Sequence, residues 1–540
     1  MFDKKQFNGI FIFMALLTFI SYFSGFFIDV TRDCGKYATV AKEIFENGNF
    51  INLTIHGDAY DQKPPLLFWL GVLGFYVGGI SNFWFKFPVF LVVLMGIYST
   101  YRLAKSMYNK STGQIAAIML FFSVIYSLYS MDVHTDTPVQ AFVAFAMWQL
   151  YDFIKTGKNS NWIMGFIGIG LAMLSKGPMG AVVPAFAVVG HILLKKEYHL
   201  LKDPRWYLGI VLSFVIVSPA LIGLYSQFGI EGIKFFFWDN NIGRLTGSYI
   251  TTSYDPTMYI HSTLYLFVPW SVLLFIAAFQ DIKSRFKNRF VATEHFTFTG
   301  IWVFFIILSS SRSMLPNYIF ILIPLMAVLT AKYVDEAISL KGKLYRVFDN
   351  AQTIITITLW IALVVLATYF FPTSNWQYWA AGSFLLALTY YVFKYAGAGK
   401  VKLLLPTIIA YTAFNMFLNM HIFPYIFSFQ APPKAARIFN KEAAPGDKLY
   451  NYKYGQYELF FYSEPQALQI HSQEELEKVI KEPQTWIFTN PAGLNTINRY
   501  NAQIDTIYSF EHLYLNNAEQ FILPSNRKNA LKPMYLVKLK

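Results

Sequence analysis

The 540-residue chain is 55% hydrophobic and 19% aromatic but only 14% charged, against roughly 25% charged residues in an ordinary soluble protein. With its long uncharged runs, this composition excludes a soluble globular fold and predicts a polytopic membrane protein. The formal charge of +13 does not indicate nucleic acid, because Lys and Arg are scattered over short loops and form no basic face or stripe; the single cysteine, Cys34, allows no intramolecular disulfide.

In chain order, Lys4 and Lys5 precede a first apolar span over residues 9–28. Positive charge before a span places the N-terminus in the cytoplasm. No small-residue cleavage site follows the span, so it is expected to be a retained anchor. The loop over residues 29–63, unusually rich in Asp, Arg, Lys and Tyr, then lies outside. Residues 64–79 are apolar, but short and headed by two prolines. They are expected to form an interfacial or re-entrant helix, since a crossing needs about 20 residues.

From residue 84 the apolar segments alternate regularly. Treating 64–79 as non-crossing puts the Lys- and Arg-bearing loops around 102–110, 155–158, 195–205, 283–289, 341–346 and 394–402 on the cytoplasmic side, and gives about thirteen spans in all. Counting 64–79 as a crossing would put those basic loops outside, against the charge bias. The expected fold is therefore a polytopic α-helical membrane domain over residues 1–423 with periplasmic interfacial helices. Residues 424–540 have ordinary polarity. Helices are expected over 434–442 and 473–481, and strands over 448–452, 485–488, 504–510 and 535–538. Strands alternating with helices predict a small soluble α/β domain, periplasmic by the span count.

This topology gathers the polar groups on one face. The first loop brings Asp33, Lys36, Tyr60, Gln62 and Lys63. Later outer loops bring Asp132, His134 and Asp136, then Lys176, then Lys234, Trp238, Asp239, Asn240, Asn241 and Arg244, then Arg312, Asn317 and Tyr318. Acidic and basic groups with aromatics between them, at one membrane surface, suit a charged amphiphile. A lipid phosphate would lie on Lys and Arg, and a sugar against Tyr and Trp. Glycosyl transfer needs neutralisation of a departing phosphate and a carboxylate to take a proton or steady positive charge at the anomeric carbon.

Each residue also has a purely structural alternative. Asp33 precedes the apolar-periodic run Tyr37, Val40, Ala41, Ile44 and Phe45, as a helix N-cap would. Asp136 stands two residues before Pro138, another helix-start signal. Lys63 and Lys176 fit snorkelling lysines, and Gly165, Gly168 and Gly170 fit close helix packing. Neither His56 nor His134 has a paired His spacing for a metal.

Five motifs in order resemble one family. They are Asp-x-x-Lys-Tyr-Ala at 33–38, Tyr-x-Gln-Lys-Pro-Pro-Leu at 60–66, Thr-Asp-x-Pro at 135–138, Lys-Gly-Pro at 176–178 and Leu-Pro-x-Tyr at 315–318. Over about the first 330 residues the chain resembles the bacterial lipid A aminoarabinose transferases and the wider protein O-mannosyltransferase-like set, the GT-C membrane glycosyltransferases. The resemblance implies a polyprenyl-phosphate-sugar donor, with undecaprenyl phosphate as carrier. It also implies transfer at the periplasmic face of the inner membrane with inversion at the anomeric carbon, onto a lipid A, glycan or protein acceptor. Carried over by position, Asp33 would be the main catalytic carboxylate and Asp136 its partner. Lys63 would bind the donor phosphate, and Tyr60 and Tyr318 would line the donor entrance. Beyond that carry-over, Lys36, Gln62, Lys176, Arg244 and Arg312 on the same face are expected to bind substrate.

Three positions depart from the aminoarabinose transferases: Gln62 stands where they have Glu, Met314 where a Lys precedes Leu-Pro, and Trp-Asp-Asn-Asn-Ile-Gly-Arg-Leu (238–245) where they have a His-Asn stretch. No cofactor is assigned, and a divalent metal stays open. The alternative function is a lipid or sugar transporter or flippase, which would carry ionisable groups at mid-membrane depth; here the span centres are nearly free of them.

Overall fold

The computed structural model describes the backbone of residues 4–540 and side chains from Asn8 onward. The Lys4 and Lys5 side chains, on which the orientation of the first span rests, lie outside the described residues. Among the described residues, six helices are long and apolar enough to cross a membrane: Asn8–Gly25, Asn82–Met107, Arg205–Thr246, Pro316–Leu340, Lys343–Phe370 and Lys400–Phe427. A seventh forms if Lys110–Phe121 and Val124–Met131, bent by 50°, are one span. The protein is therefore a multi-span membrane protein.

The segment behind the two prolines forms the helix Leu66–Gly78, 13 residues long. At 1.5 Å per residue it reaches about 20 Å, short of a hydrocarbon core of about 30 Å. It packs on Asn82–Met107 through glycines: a Cβ on Gly74 would fall 1.8 Å from the Trp84 carbonyl oxygen. Small residues also seat Asn159–Lys176. A Cβ on Gly168 would lie 3.0 Å from Ala146 backbone atoms, and one on Gly170 2.8 Å from Ile216.

In two later apolar segments, 261–279 and 316–334, the helix is not uniform. The one at 261–279 divides into Met258–Leu266 and Ser271–Lys287 around Pro269, which has no N–H for the helical ladder. The one at 316–334 opens with the tighter turns of Pro316–Leu322 before Ile323–Leu340.

The basic loops meet at one end of the bundle. Tyr108 donates to Glu294 Oε1 (2.7 Å), and Ser111 and Thr112 donate to Asp335 (2.6 and 2.8 Å). Arg285 bonds Asp281 (2.6 Å) and Glu294 (3.4 Å), with Tyr333 and Lys332 also on Asp281 at 3.0 and 3.7 Å. Arg285, Asp281 and Glu294 are almost fully buried. Removing one member of a buried ionic network leaves its partners uncompensated. Asp281→Ala is expected to destabilise the fold by about 3 kcal/mol, read as a lower inactivation temperature in detergent; an unchanged temperature would show the network to be dispensable.

After Phe427 the chain builds a five-stranded sheet in the order Leu468–Gln469, Lys448–Tyr452, Thr485–Thr489, Leu531–Leu539, Ile504–Leu513. The first two pairings are parallel and the last two antiparallel. Side chains alternate across the central strand. Trp486 and Phe488 face a core with Ala435, Phe439, Leu459 and Phe460, while Ile487 faces one with Leu476, Ile497 and Val537. The expected strands and helices are present. The short edge strand Leu468–Gln469 and the helices Glu458–Tyr462 and Pro491–Arg499 are additional.

Candidate active site

The first loop folds around the amphipathic helix Arg32–Asn47, which buries Cys34, Tyr37, Ala38, Ala41 and Ile44. It stops at Gly48, whose left-handed backbone (φ 68°) returns an N–H to Ile44 O. The position before the helix is Thr31, with no side-chain cap. Asp33 therefore does not cap. It stands in the first turn, where an anion is favoured, and its carboxylate takes the Lys36 ammonium at 3.1 Å while staying 49% exposed. Burial works to raise the Asp33 pKa, but Lys36, His134 and Lys63 outweigh it and hold the carboxyl below its ordinary value. Asp33 is thus an ionised, partly open carboxylate.

Further along the loop, the hairpin Thr54–Ile55 with Asp58–Ala59 delivers Tyr60, Gln62 and Lys63. Tyr60 is buried against Phe68, with ring centroids 5.8 Å apart, and its hydroxyl has no hydrogen-bond partner among the described residues. Gln62 accepts from Lys36 at 3.3 Å and, through its backbone carbonyl, from Asn240 at 3.1 Å.

Lys63 lines a cavity of about 330 Å³ together with Lys176, Asn240, Asn241, Arg244 and Tyr318. The wider turns of Phe235–Gly243, with i→i+5 bonding, carry the two asparagines into it, and Arg244 follows. Such turns inside helices recur at functional sites. Arg244 donates to Asn240 Oδ1 (2.8 Å) and to the Tyr318 hydroxyl (3.1 Å). Lys176 ends the helix Asn159–Lys176; its ammonium lies 4.1 Å from the Tyr318 ring centroid and bonds Asp136. Burial first, then the Arg244 and Lys176 charges, push the Lys63 amine down to about 7, with Asp136 opposing. Three basic side chains, Lys63, Lys176 and Arg244, thus line one cavity with room for an anion.

Asp136 opens the helix Asp136–Thr156 but is 2% exposed. Its two oxygens go to Lys176 and to Asn317 Nδ2 (2.8 Å). It therefore positions Lys176 and does not bond Asp33. The two carboxylates end a continuous polar chain running Asp33, Lys36, Gln62, Asn240, Arg244, Tyr318, Lys176, Asp136. Tyr37 lies near both: burial first, then Asp33, Tyr60 and Asp136, hold its hydroxyl well above the ordinary phenol value. His134 pairs with Asp132 at 3.1 Å beside it.

Arg312 is not brought into this group. It is exposed and packs on Tyr254 at 4.9 Å, while its backbone pairs with Leu245 and Thr252. Lys234 pairs with Glu231 at 3.3 Å, and Trp238 is exposed. Among the described residues, no three His, Cys, Asp or Glu side chains are grouped to hold a metal ion.

Sequence reasoning missed the contribution of the C-terminal unit. Glu458 Oε1 accepts the Arg32 backbone N–H at 2.5 Å and Oε2 the Tyr454 hydroxyl at 3.1 Å. Burial pushes the Glu458 carboxyl up to about 7, against those two donors. The Tyr457 ring stands 5.8 Å from the Lys36 ammonium. No spacing in the sequence signals these contacts.

The profile of the family described as dolichyl-phosphate-mannose-protein mannosyltransferase matches residues 62–222. An uncharacterized protein of Aquifex aeolicus is 26% identical over 427 residues, 78% of this chain and 79% of its own length. The undecaprenyl phosphate-alpha-4-amino-4-deoxy-L-arabinose arabinosyl transferase 2 of Proteus mirabilis is 26% identical over 344 residues, 61% of this chain and 60% of its own length. Among solved structures, ArnT from Cupriavidus metallidurans, crystallised with undecaprenyl phosphate, superposes with a TM-score of 0.76 over 98% of both chains at 16% identity. An oligosaccharyltransferase of Archaeoglobus fulgidus superposes at 0.51, over 92% of this chain and 71% of its own, at 11% identity. The chain is thus related in sequence to membrane glycosyltransferases and shares their GT-C fold.

Proposed function

We propose that this chain is an inverting glycosyltransferase that moves a sugar from a polyprenyl-phosphate donor, with undecaprenyl phosphate as carrier, to a lipid A, glycan or protein acceptor. The observation that carries this is the pairing of two spaces. The cationic cavity meets an apolar groove of about 590 Å³, and Pro178 and Phe237 line both. A phosphate head fits the first and a prenyl tail the second. The kinship with aminoarabinose transferases supports the donor class.

In this mechanism the donor phosphate lies among Lys63, Lys176 and Arg244, whose charge stabilises it as it departs. Asp136 holds Lys176 in place. Asp33 lies at the outer end of the polar chain, ionised and open, where an acceptor hydroxyl gives up its proton to it or an oxocarbenium-like centre is steadied. With a phosphate acceptor no base is needed, and Asp33 acts through its charge. Tyr60, with a free buried hydroxyl, and Tyr318, bound to Arg244, flank the way to the phosphate.

About thirteen spans with the N-terminus in the cytoplasm, and a periplasmic soluble domain over 424–540, complete the proposal. Its support is that the basic loops meet at one end of the bundle and the polar chain lies elsewhere, with the C-terminal unit against it. A transporter is not favoured, since the basic side chains Lys63, Lys176 and Arg244 gather in one cavity and the named relatives are transferases.

Mass spectrometry of envelope lipids and glycoproteins, from cells with and without the gene, is expected to show the loss of one hexose-sized or amino-sugar-sized addition. Identical envelopes, together with lipid translocation but no transfer in reconstituted vesicles, would overturn the proposal. Arg244→Ala is expected to weaken undecaprenyl phosphate binding about tenfold or more, from loss of a charge-assisted bond. Arg312→Ala, outside the cavity, is expected to change it less than about threefold. Equal effects in a binding titration would count against the cavity as the phosphate site.

A further inference from the structure

Resting on the function proposed above, we infer that the C-terminal α/β unit is a working part of the active site, in which Glu458 is a positioning residue that sets the place of Asp33 by holding the Arg32 backbone.

The helix carrying Asp33 begins at a strained point. Arg32 has φ 48°, a left-handed conformation that costs a side-chain-bearing residue free energy and persists only where the surroundings impose it. Its N–H, like the others in a first helical turn, has no partner within the helix. That N–H is taken by Glu458 Oε1 at 2.5 Å, from a residue 426 positions away. Glu458 is 1% exposed, and its second oxygen is held by the Tyr454 hydroxyl, so the carboxyl cannot swing to another donor without leaving a buried group unpaired.

The approach is close by construction. A Cβ on Gly35 would stand 3.1 Å from Glu458 Cγ, so glycine there lets the carboxyl reach the start of the helix. Two turns further, Lys42, fully buried, donates to the carbonyls of Phe460, Phe461 and Ser463 at 3.3, 3.2 and 2.7 Å. These are carbonyls at the end of the helix Glu458–Tyr462, where a cation is favoured. Thr39 Oγ1 donates to Tyr457 O at 3.1 Å. The two helices are thus pinned at both ends of their contact, with Asp33 one residue beyond the first pin. A catalytic carboxylate displaced by an ångström loses much of its effect, so a clamp on Arg32 acts on turnover first, while Lys63, Lys176 and Arg244 are held by other elements.

The test uses the full chain in detergent with Glu458→Gln, Glu458→Leu, Glu458→Asp and Asp33→Asn. Three quantities are read: hydrogen exchange of the 29–38 segment, affinity for undecaprenyl phosphate, and transfer from the polyprenyl-phosphate lipid fraction of the producing cells. The amide of Glu458→Gln keeps the acceptor for Arg32, so exchange and turnover stay within about threefold of wild type. Glu458→Leu has no acceptor and Glu458→Asp is too short to reach. Both are expected to speed exchange at 32–35 and lower turnover about tenfold or more, with undecaprenyl phosphate affinity within about twofold.

Should the leucine variant fail to insert, the aspartate variant decides. Wild-type exchange and turnover in Glu458→Asp would overturn the inference, as would a Gln variant as impaired as Leu, or affinity falling in step with turnover. Asp33→Asn separates the two proposals. Full turnover there would sink the functional reading, while the exchange data still decide the role of Glu458.

Discussion

Asp33→Asn is expected to lower transfer by about 10³-fold while leaving insertion and undecaprenyl phosphate affinity near wild type. The size follows from what is removed. The amide keeps the shape of the side chain and an oxygen facing Lys36, which the carboxylate holds at 3.1 Å, so the loop helix is undisturbed. What is lost is a negative charge that neighbouring Lys36, His134 and Lys63 maintain by holding the carboxyl below its usual pKa despite burial. A base or charge stabiliser placed at the reacting centre contributes about 10² to 10⁴, and Asp33 is the partly exposed carboxylate of the polar chain. Asp136, at the buried end, is committed to Lys176 and Asn317 and has no exposed face from which to replace it. Initial rates with the extracted donor lipid measure the loss. A folded Asp33→Asn protein turning over within tenfold of wild type would remove Asp33 from the chemistry.

Lys63→Met is expected to cost about 10²-fold in kcat/KM, the scale of removing one fixed charge that stabilises a departing anion. Lys63 carries a signature that pH can read. Burial, reinforced by Arg244 and Lys176, brings its amine down to about 7, so its charge is lost within an accessible pH range. The sign follows directly. Below pH 7 the ammonium is present and attracts the phosphate; above it the free site is increasingly neutral, and an anion must restore the proton in order to bind. Linkage then weakens binding as pH rises, approaching tenfold per unit above pH 7. A phosphate monoester has its second pKa near 6, so its own charge is nearly constant from pH 7 to 9 and does not mask the trend. Lys63→Arg, charged throughout, is expected to flatten the profile. A pH-independent affinity in the wild-type protein, or the same slope in the arginine variant, would exclude Lys63 as the source.

Much of the architecture is legible without coordinates, because it is encoded at short range. Apolar runs broken by basic loops mark a multi-span protein, and the double proline with only 13 helical residues behind it marks a helix too short to cross. Short β-rich apolar runs mark the strands at 448–452 and 485–488. Glycines at 165, 168 and 170 mark close helix contacts. Where a span breaks is less legible: Pro269 interrupts a segment whose hydropathy is continuous, since hydropathy does not count N–H donors.

The candidate site divides along the same line. Asp33, Lys63, Lys176, Arg244 and Tyr318 stand out as polar residues in an apolar chain, and a local motif surrounds nearly all of them. Their partners do not stand out. A capping role for Asp33 and a surface role for Lys176 fit the local pattern equally well; only packing assigns Asp33 to Lys36, Lys176 to Asp136 and Arg312 to Tyr254, away from the cavity. Glu458 is the extreme case, an unremarkable glutamate until the sheet delivers it to a backbone N–H 426 residues earlier. Residue type and spacing determine which groups have chemistry to offer and which elements carry them. Which of those groups meet is decided by the burial of whole helices against one another, a cooperative outcome of many contacts that no single stretch of sequence contains.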